Sequence, residues 1–107
     1  MISKIVTVTI DRPKDSCHPK YPDLVYPINY GYIEGVIGGD GEEQDAYVLG
    51  VDEPVQEFTG RVIAIIHRLN DVENKLVVAP EGISYNKEQI SEIVDFQERY
   101  FRSEIEM

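Results

Sequence analysis

Hydrophobic and polar positions divide this chain into short β-like runs followed by one helical run. Residues 5–10, Ile-Val-Thr-Val-Thr-Ile, are β-branched throughout and predict a strand. Residues 28–33 alternate large side chains with small or polar ones and predict a second, and residues 46–51 a third. Residues 62–66 are apolar at every position, which places that strand in the middle of a sheet. Residues 76–79 predict a fifth, closed by Pro80. Between the first two lies a proline-bearing polar loop, residues 11–23. Turns are expected at residues 38–41, 58–60 and 70–74.

The period changes near the C-terminus. Asn86 followed by Gln89 resembles a capping box. Ile90, Ile93, Val94 and Phe101 recur at helical spacing, with Tyr100 bordering the stripe. A helix over residues 87–103 is predicted. The fold class is therefore mainly β with a C-terminal helix, and the expected architecture is an open five-stranded barrel of the oligonucleotide-binding type. The 107 residues suit one domain spanning 1–107. Such barrels host many activities, so function has to come from side chains.

Charge narrows the choice. Twenty acidic residues face ten basic ones, a formal charge of −10. An acidic surface repels nucleic acid and anionic membranes, so neither is an expected partner. Residues 1–7 lack the apolar stretch of a signal peptide. No apolar run approaches the length of a bilayer span. The single cysteine, Cys17, has no internal partner for a disulfide, and a cytoplasmic location is expected.

Asp40, Glu42 and Asp45 fall within six residues, among glycines that allow a tight turn. Converging carboxylates repel one another unless a cation lies between them. Mg²⁺ suits such a loop, because it takes few carboxylates, keeps several waters and accepts phosphate oxygens. An EF-hand is excluded: counting from Asp40, the sixth residue is Asp45 rather than Gly and the twelfth is Val51 rather than Glu. Zinc is disfavoured by the lack of spaced His and Cys ligands. Taken alone, the loop reads about equally well as a solvated hairpin turn.

Its setting shifts that balance. The octapeptide Tyr26-Pro27-Ile28-Asn29-Tyr30-Gly31-Tyr32-Ile33, a glycine-containing turn and then Asp-Gly-acidic-x-x-Asp resemble the family I soluble inorganic pyrophosphatases. Gly60-Arg61-Val62-Ile63, the acidic turn with Asp71 and Glu73, the run Lys75-Leu76-Val77, and the aromatics Phe96 and Tyr100 follow in the same order. The resemblance implies hydrolysis of pyrophosphate to two phosphates by a multi-Mg²⁺ site that activates water, with Mn²⁺ as a substitute metal. By resemblance, Asp40, Asp45, Asp71, Glu73 and Asp11 ligate metal. Glu42 stands where the family has the Asp that takes the proton from the attacking water. Lys20, Tyr30 and Tyr100 contact phosphate. Phe101 replaces the family's lysine, and Arg102 stands next along as a substitute, with Arg12, Lys14 and Arg68 as alternatives. The family's arginine-bearing hairpin before Tyr26 is absent. The thinner set of phosphate-binding cations leaves two alternatives: a metal-dependent phosphate- or nucleotide-binding regulatory module with little turnover, or a hydrolase of a related phosphoanhydride. Many members self-associate, so a homo-oligomer is compatible with the resemblance.

Overall fold

Five antiparallel and parallel pairings roll the chain into a barrel. In the computed structural model, which describes residues 1–107, the elements are β1 (Ile5–Arg12), β2 (Asn29–Ile37), β3 (Glu43–Val48), β4 (Glu57–Arg68), β5 (Asn74–Ala79), α1 (Lys87–Glu98) and β6 (Ser103–Glu106). The strands lie in the order β1-β2-β3-β5-β4-β6, and β1 also pairs with β4. That last pairing, Ile5 opposite Arg61 through Thr9 opposite Glu57, closes the five-stranded barrel rather than leaving it open. β3 and β5 run parallel, and the other neighbours are antiparallel.

The apolar run at residues 62–66 is central as expected: β4 pairs with β1, β5 and β6. The turn expected at residues 58–60 is instead part of this strand. Gly60 is there because two backbones come close, and a β-carbon would meet the carbonyl oxygen of Ala79 at 2.6 Å. Gly31 is tighter still, its virtual β-carbon lying 1.9 Å from the carbonyl oxygen of Thr9 on β1.

Two apolar clusters result. Val8, Ile10, Ile33, Ala46, Val48, Val62, Leu76 and Val78 come from all five barrel strands and fill the interior. Tyr30, Tyr47, Leu49, Ala64, Ile66, Val77 and Ala79 join Ile90 and Val94 of α1 on the outer face. A cleft lined in part by Tyr26 and Tyr30 borders this second cluster.

The helix starts as predicted. Asn86 accepts from the Gln89 backbone at 2.8 Å, and Gln89 reaches back to the Asn86 backbone at 2.9 Å. It ends earlier than residue 103, and the physical reason is competition from a sheet edge. Phe101 N–H bonds Glu98 O in a tightened last turn, and residues 103–106 then add to the open edge of β4 as β6. Phe101 and Tyr100 thus leave the helix, and Arg102 lies in the link between α1 and β6. No helix is long and apolar enough to cross a membrane.

Candidate active site

A cleft of about 790 Å³ opens where the ends of β1, β3, β4 and β5, the loop at residues 13–28 and the segment after α1 meet. Register alone explains its floor. Tyr30 pairs with Tyr47 and Tyr32 with Asp45 across β2–β3, so Tyr30 and Asp45 are diagonal neighbours on one face. Ala46 pairs with Leu76 across β3–β5, which sets Asp45 beside Lys75 on that same face.

Lys75 is 3% exposed at its side chain, and a lone buried ammonium would be costly. Its Nζ lies 2.5 Å from Asp45 Oδ2 and 3.2 Å from Glu73 Oε1. The phenol of Tyr30 also contacts Asp45. Burial and that carboxylate hold it neutral far above its ordinary range. Asp40, on the β2–β3 turn, accepts from the Glu42 backbone at 3.0 Å and meets Glu73 side chain to side chain. The backbone N–H, then the Glu73 contact, lower the Asp40 pKa. Desolvation raises that of Glu73, against Lys75, and the Asp40 contact adds to the rise. Loss of solvent also raises Asp11 at the end of β1.

Asp40, Asp45 and Glu73 therefore gather about one buried cationic group. No three acidic, histidine or cysteine side chains stand close enough to enclose an ion by themselves. Carboxylate oxygens are the donors a hard dication takes, and those of Asp45 and Glu73 are here turned to the Lys75 ammonium.

A second network runs along the wall. Arg12 Nη1 donates to the Tyr26 hydroxyl at 2.9 Å, which donates to Gln97 Oε1 at 2.7 Å. Gln97 Nε2 donates to the Tyr47 hydroxyl at 2.7 Å, which lies 2.5 Å from Glu98 Oε2. Arg68 grips Glu98 with Nε at 3.1 Å and Nη2 at 2.7 Å. Its Nη1 reaches loosely toward Glu73 at 3.4 Å and Asp71 at 3.5 Å. Burial would lower the Arg68 pKa, and Glu98 more than offsets that, so the guanidinium stays charged. Its plane covers the Phe101 ring at 3.7 Å.

Of the residues singled out from sequence, Asp11, Asp45, Glu73, Lys20, Tyr30 and Tyr100 line the cleft. Asp40 touches it through Glu73. Glu42 is exposed at the turn, Asp71 spends Oδ1 on the Val72 backbone at 2.6 Å, and Arg102 is exposed beyond the cleft. Arg68, a candidate stand-in for the family's lysine, lines the cleft, whereas Lys75, Gln97 and Glu98 were given no site role from sequence. Two patterns point to them. Lys75 is the one charge in the run Lys75–Ala79 of β5, and Arg68 continues the outward alternation Ala64, Ile66 that faces α1. Glu98 continues the Ile90, Val94 stripe, and a charge on each of two packed stripes marks a pair.

The sequence and the fold match known proteins. The sequence model described as inorganic pyrophosphatase matches residues 4–106. The chain belongs to the inorganic pyrophosphatase family. The solved inorganic pyrophosphatase of Coxiella burnetii shares 19% identity at a TM-score of 0.69, covering 99% of this chain and 86% of that one. That of Ehrlichia chaffeensis shares 20% at 0.71, covering 97% and 85%. That of Helicobacter pylori shares 20% at 0.66, covering 96% and 82%. No curated protein sequence matches the chain. At these identities the neighbours speak for the pyrophosphatase barrel, and family membership rests on the sequence match over nearly the full length.

Proposed function

We propose that this chain is a metal-dependent inorganic diphosphatase, hydrolysing pyrophosphate to two phosphates. The observation that carries the reading is the group Asp40, Asp45 and Glu73 around Lys75, set in a cleft of a pyrophosphatase-family barrel. Asp40, Asp45, Glu73 and Asp11 are the carboxylates that would hold Mg²⁺, or Mn²⁺ in its place, with Asp71 at the rim. Bound there, the ion would supply positive charge and a water more acidic than bulk water.

The chain's own residues do the rest. Lys20, Lys75 and Arg12 flank the space for phosphate oxygens, and Arg68 adds its loosely held Nη1. Tyr30, kept neutral by burial, remains a hydrogen-bond donor. Tyr100 lines the opening. Water oxygen bonds to one phosphorus, the bond from that phosphorus to the bridging oxygen breaks, and a water proton passes to a carboxylate. Glu42 is assigned that role by its place in the motif. It stands exposed at the β2–β3 turn, and Glu42→Gln tests the assignment.

Phosphate release from pyrophosphate, with and without Mg²⁺, tests the reading beside Asp45→Asn and Glu42→Gln. Turnover below about 0.1 s⁻¹ at saturating metal, or full activity of Asp45→Asn, would overturn it. One observation favours a second reading, a phosphate-binding module with little turnover: Lys75 and Arg68 are already occupied by carboxylates. Calorimetry would then show metal-dependent binding of pyrophosphate without product. Self-association belongs to the same proposal and is read by sedimentation.

A further inference from the structure

Pyrophosphate fills only part of this cleft. About 790 Å³ lies in the range of sites for drug-sized ligands, and the buried Lys75 with Asp45 and Glu73 forms its floor. The other end is aromatic. Tyr21 and His18 pack as a ring pair at 5.0 Å. From there a ladder of rings descends to the floor: His18 to Tyr26 at 6.4 Å, Tyr26 to Tyr30 at 5.5 Å, and Tyr30 to Lys75 Nζ at 5.6 Å.

Two tyrosines of this cleft are wet. Tyr21 is 63% and Tyr100 69% exposed, although both line it. His18 Nδ1 accepts the Lys20 backbone N–H at 3.0 Å, which fixes a neutral imidazole. Partial desolvation, then Arg12 and Lys20, act in the same direction. The outer end thus offers uncharged aromatic faces to solvent, two rings away from Lys75, with Lys20 beside Tyr21 in the chain and Arg12 over the Tyr26 ring at 5.6 Å. The loop that carries them is held in shape: Asn29 Oδ1 accepts from Lys14 N–H at 2.9 Å, and the loop pairs with itself through Cys17 and Val25.

We propose that the cleft binds a diphosphate bearing a planar aromatic group, a nucleoside diphosphate, with its phosphates at the Lys75 end and its base against Tyr21 and His18. The inference rests on the diphosphatase reading for the inner end and adds the substrate class. Hydrolysis would join water oxygen to the terminal phosphorus and break that phosphorus's bond to the bridging oxygen. The bridging oxygen stays on the nucleoside monophosphate, orthophosphate is the other product, and the proton goes to a carboxylate.

Binding decides it without turnover. Methylene-bridged adenosine diphosphate and methylenediphosphonate are titrated calorimetrically into the whole chain with Mg²⁺. The nucleoside compound binds at least about fivefold tighter, the lower end of one base–aromatic stack. Tyr21→Ala and His18→Ala, both outside the core, each shrink that ratio while the urea midpoint stays put. Equal or weaker binding of the nucleoside compound, or an advantage that survives both substitutions, overturns the proposal. Hydrolysis assays run alongside separate the two readings. Turnover of pyrophosphate with no nucleoside advantage in binding overturns the inference and upholds the diphosphatase. A nucleoside advantage with turnover of neither substrate upholds the inference and overturns the diphosphatase.

Discussion

The ammonium of Lys75 sits 2.5 Å from the carboxylate of Asp45, with the lysine side chain almost wholly buried. Glu73 shares it at 3.2 Å, and Asp40 leans on Glu73. One cation thus balances carboxylates that would otherwise repel. Lys75→Met removes the charge at nearly constant volume. Because breaking a buried pair from one side is strongly unfavourable, the variant is expected to lose on the order of 3 kcal/mol at neutral pH. Millimolar Mg²⁺ should restore part of that loss by binding the folded state alone. Urea unfolding with and without Mg²⁺ measures both, and a variant as stable as the parent in metal-free buffer refutes the prediction.

Arg68 and Glu98 answer a different question, because both are buried and only Arg68 lines the cleft. Arg68→Met alone strands the Glu98 carboxylate and should cost about 3–5 kcal/mol. Arg68→Met with Glu98→Leu removes both charges and should recover most of it. Arg68→Lys keeps the charge but loses the two-pronged grip on Glu98. A double-mutant cycle by chemical unfolding resolves the coupling, and additive losses would contradict it.

Three tyrosines should resist alkali. Burial raises the pKa of Tyr30, Tyr47 and Tyr26 above the ordinary value near 10. In the unfolded chain these phenols ionise near pH 10, whereas in the folded chain they keep their protons. The folded state binds more protons in that window, so stability is full below about pH 10 and falls as pH rises above it. Phenolate absorbance should show three of the seven tyrosines ionising only as the chain unfolds. Smooth ionisation of all seven with the fold intact would count against this.

Gly31→Ala tests the closest backbone approach. Its β-carbon would overlap the Thr9 carbonyl, and backbone on both sides has to move. A loss of at least about 3 kcal/mol is expected, beyond the usual overpacking range because the clash is with a strand and not a side chain. Gly35→Ala is the contrast: nothing lies within 4 Å of its virtual β-carbon, though its φ of +82° favours glycine, so its cost should be about 1 kcal/mol. Similar losses at the two positions would refute the account.

Much of this was legible in the chain. Apolar and alternating runs marked five strands because each has to bury at least one face, though β3 begins three residues before the expected 46–51, and the Asn86–Gln89 pair marked the start of α1 because those atoms cap it locally. The C-terminal strand was not legible. Ser-Glu-Ile-Glu is four residues long and carries one apolar side chain, and what orders it is the open edge of β4, a partner distant in sequence. The carboxylates of the cleft could be named from their spacing and motif. Their neutralisation by Lys75 could not, because it depends on which residue β5 places beside Asp45.

The closure of the barrel sets when this cleft comes into being. Ile5 meets Arg61 and Asp45 meets Lys75, contacts between segments some thirty to sixty residues apart. Loops of that length lose considerable entropy on closing, so a chain dominated by such pairings folds slowly, on the millisecond-to-second scale. Asp11 and Arg12 arrive with β1, Asp45 with β3 and Lys75 with β5. The floor of the cleft is therefore complete only once those strands have met, and the rate at which a newly made chain gains ligand affinity should be the rate of barrel closure itself.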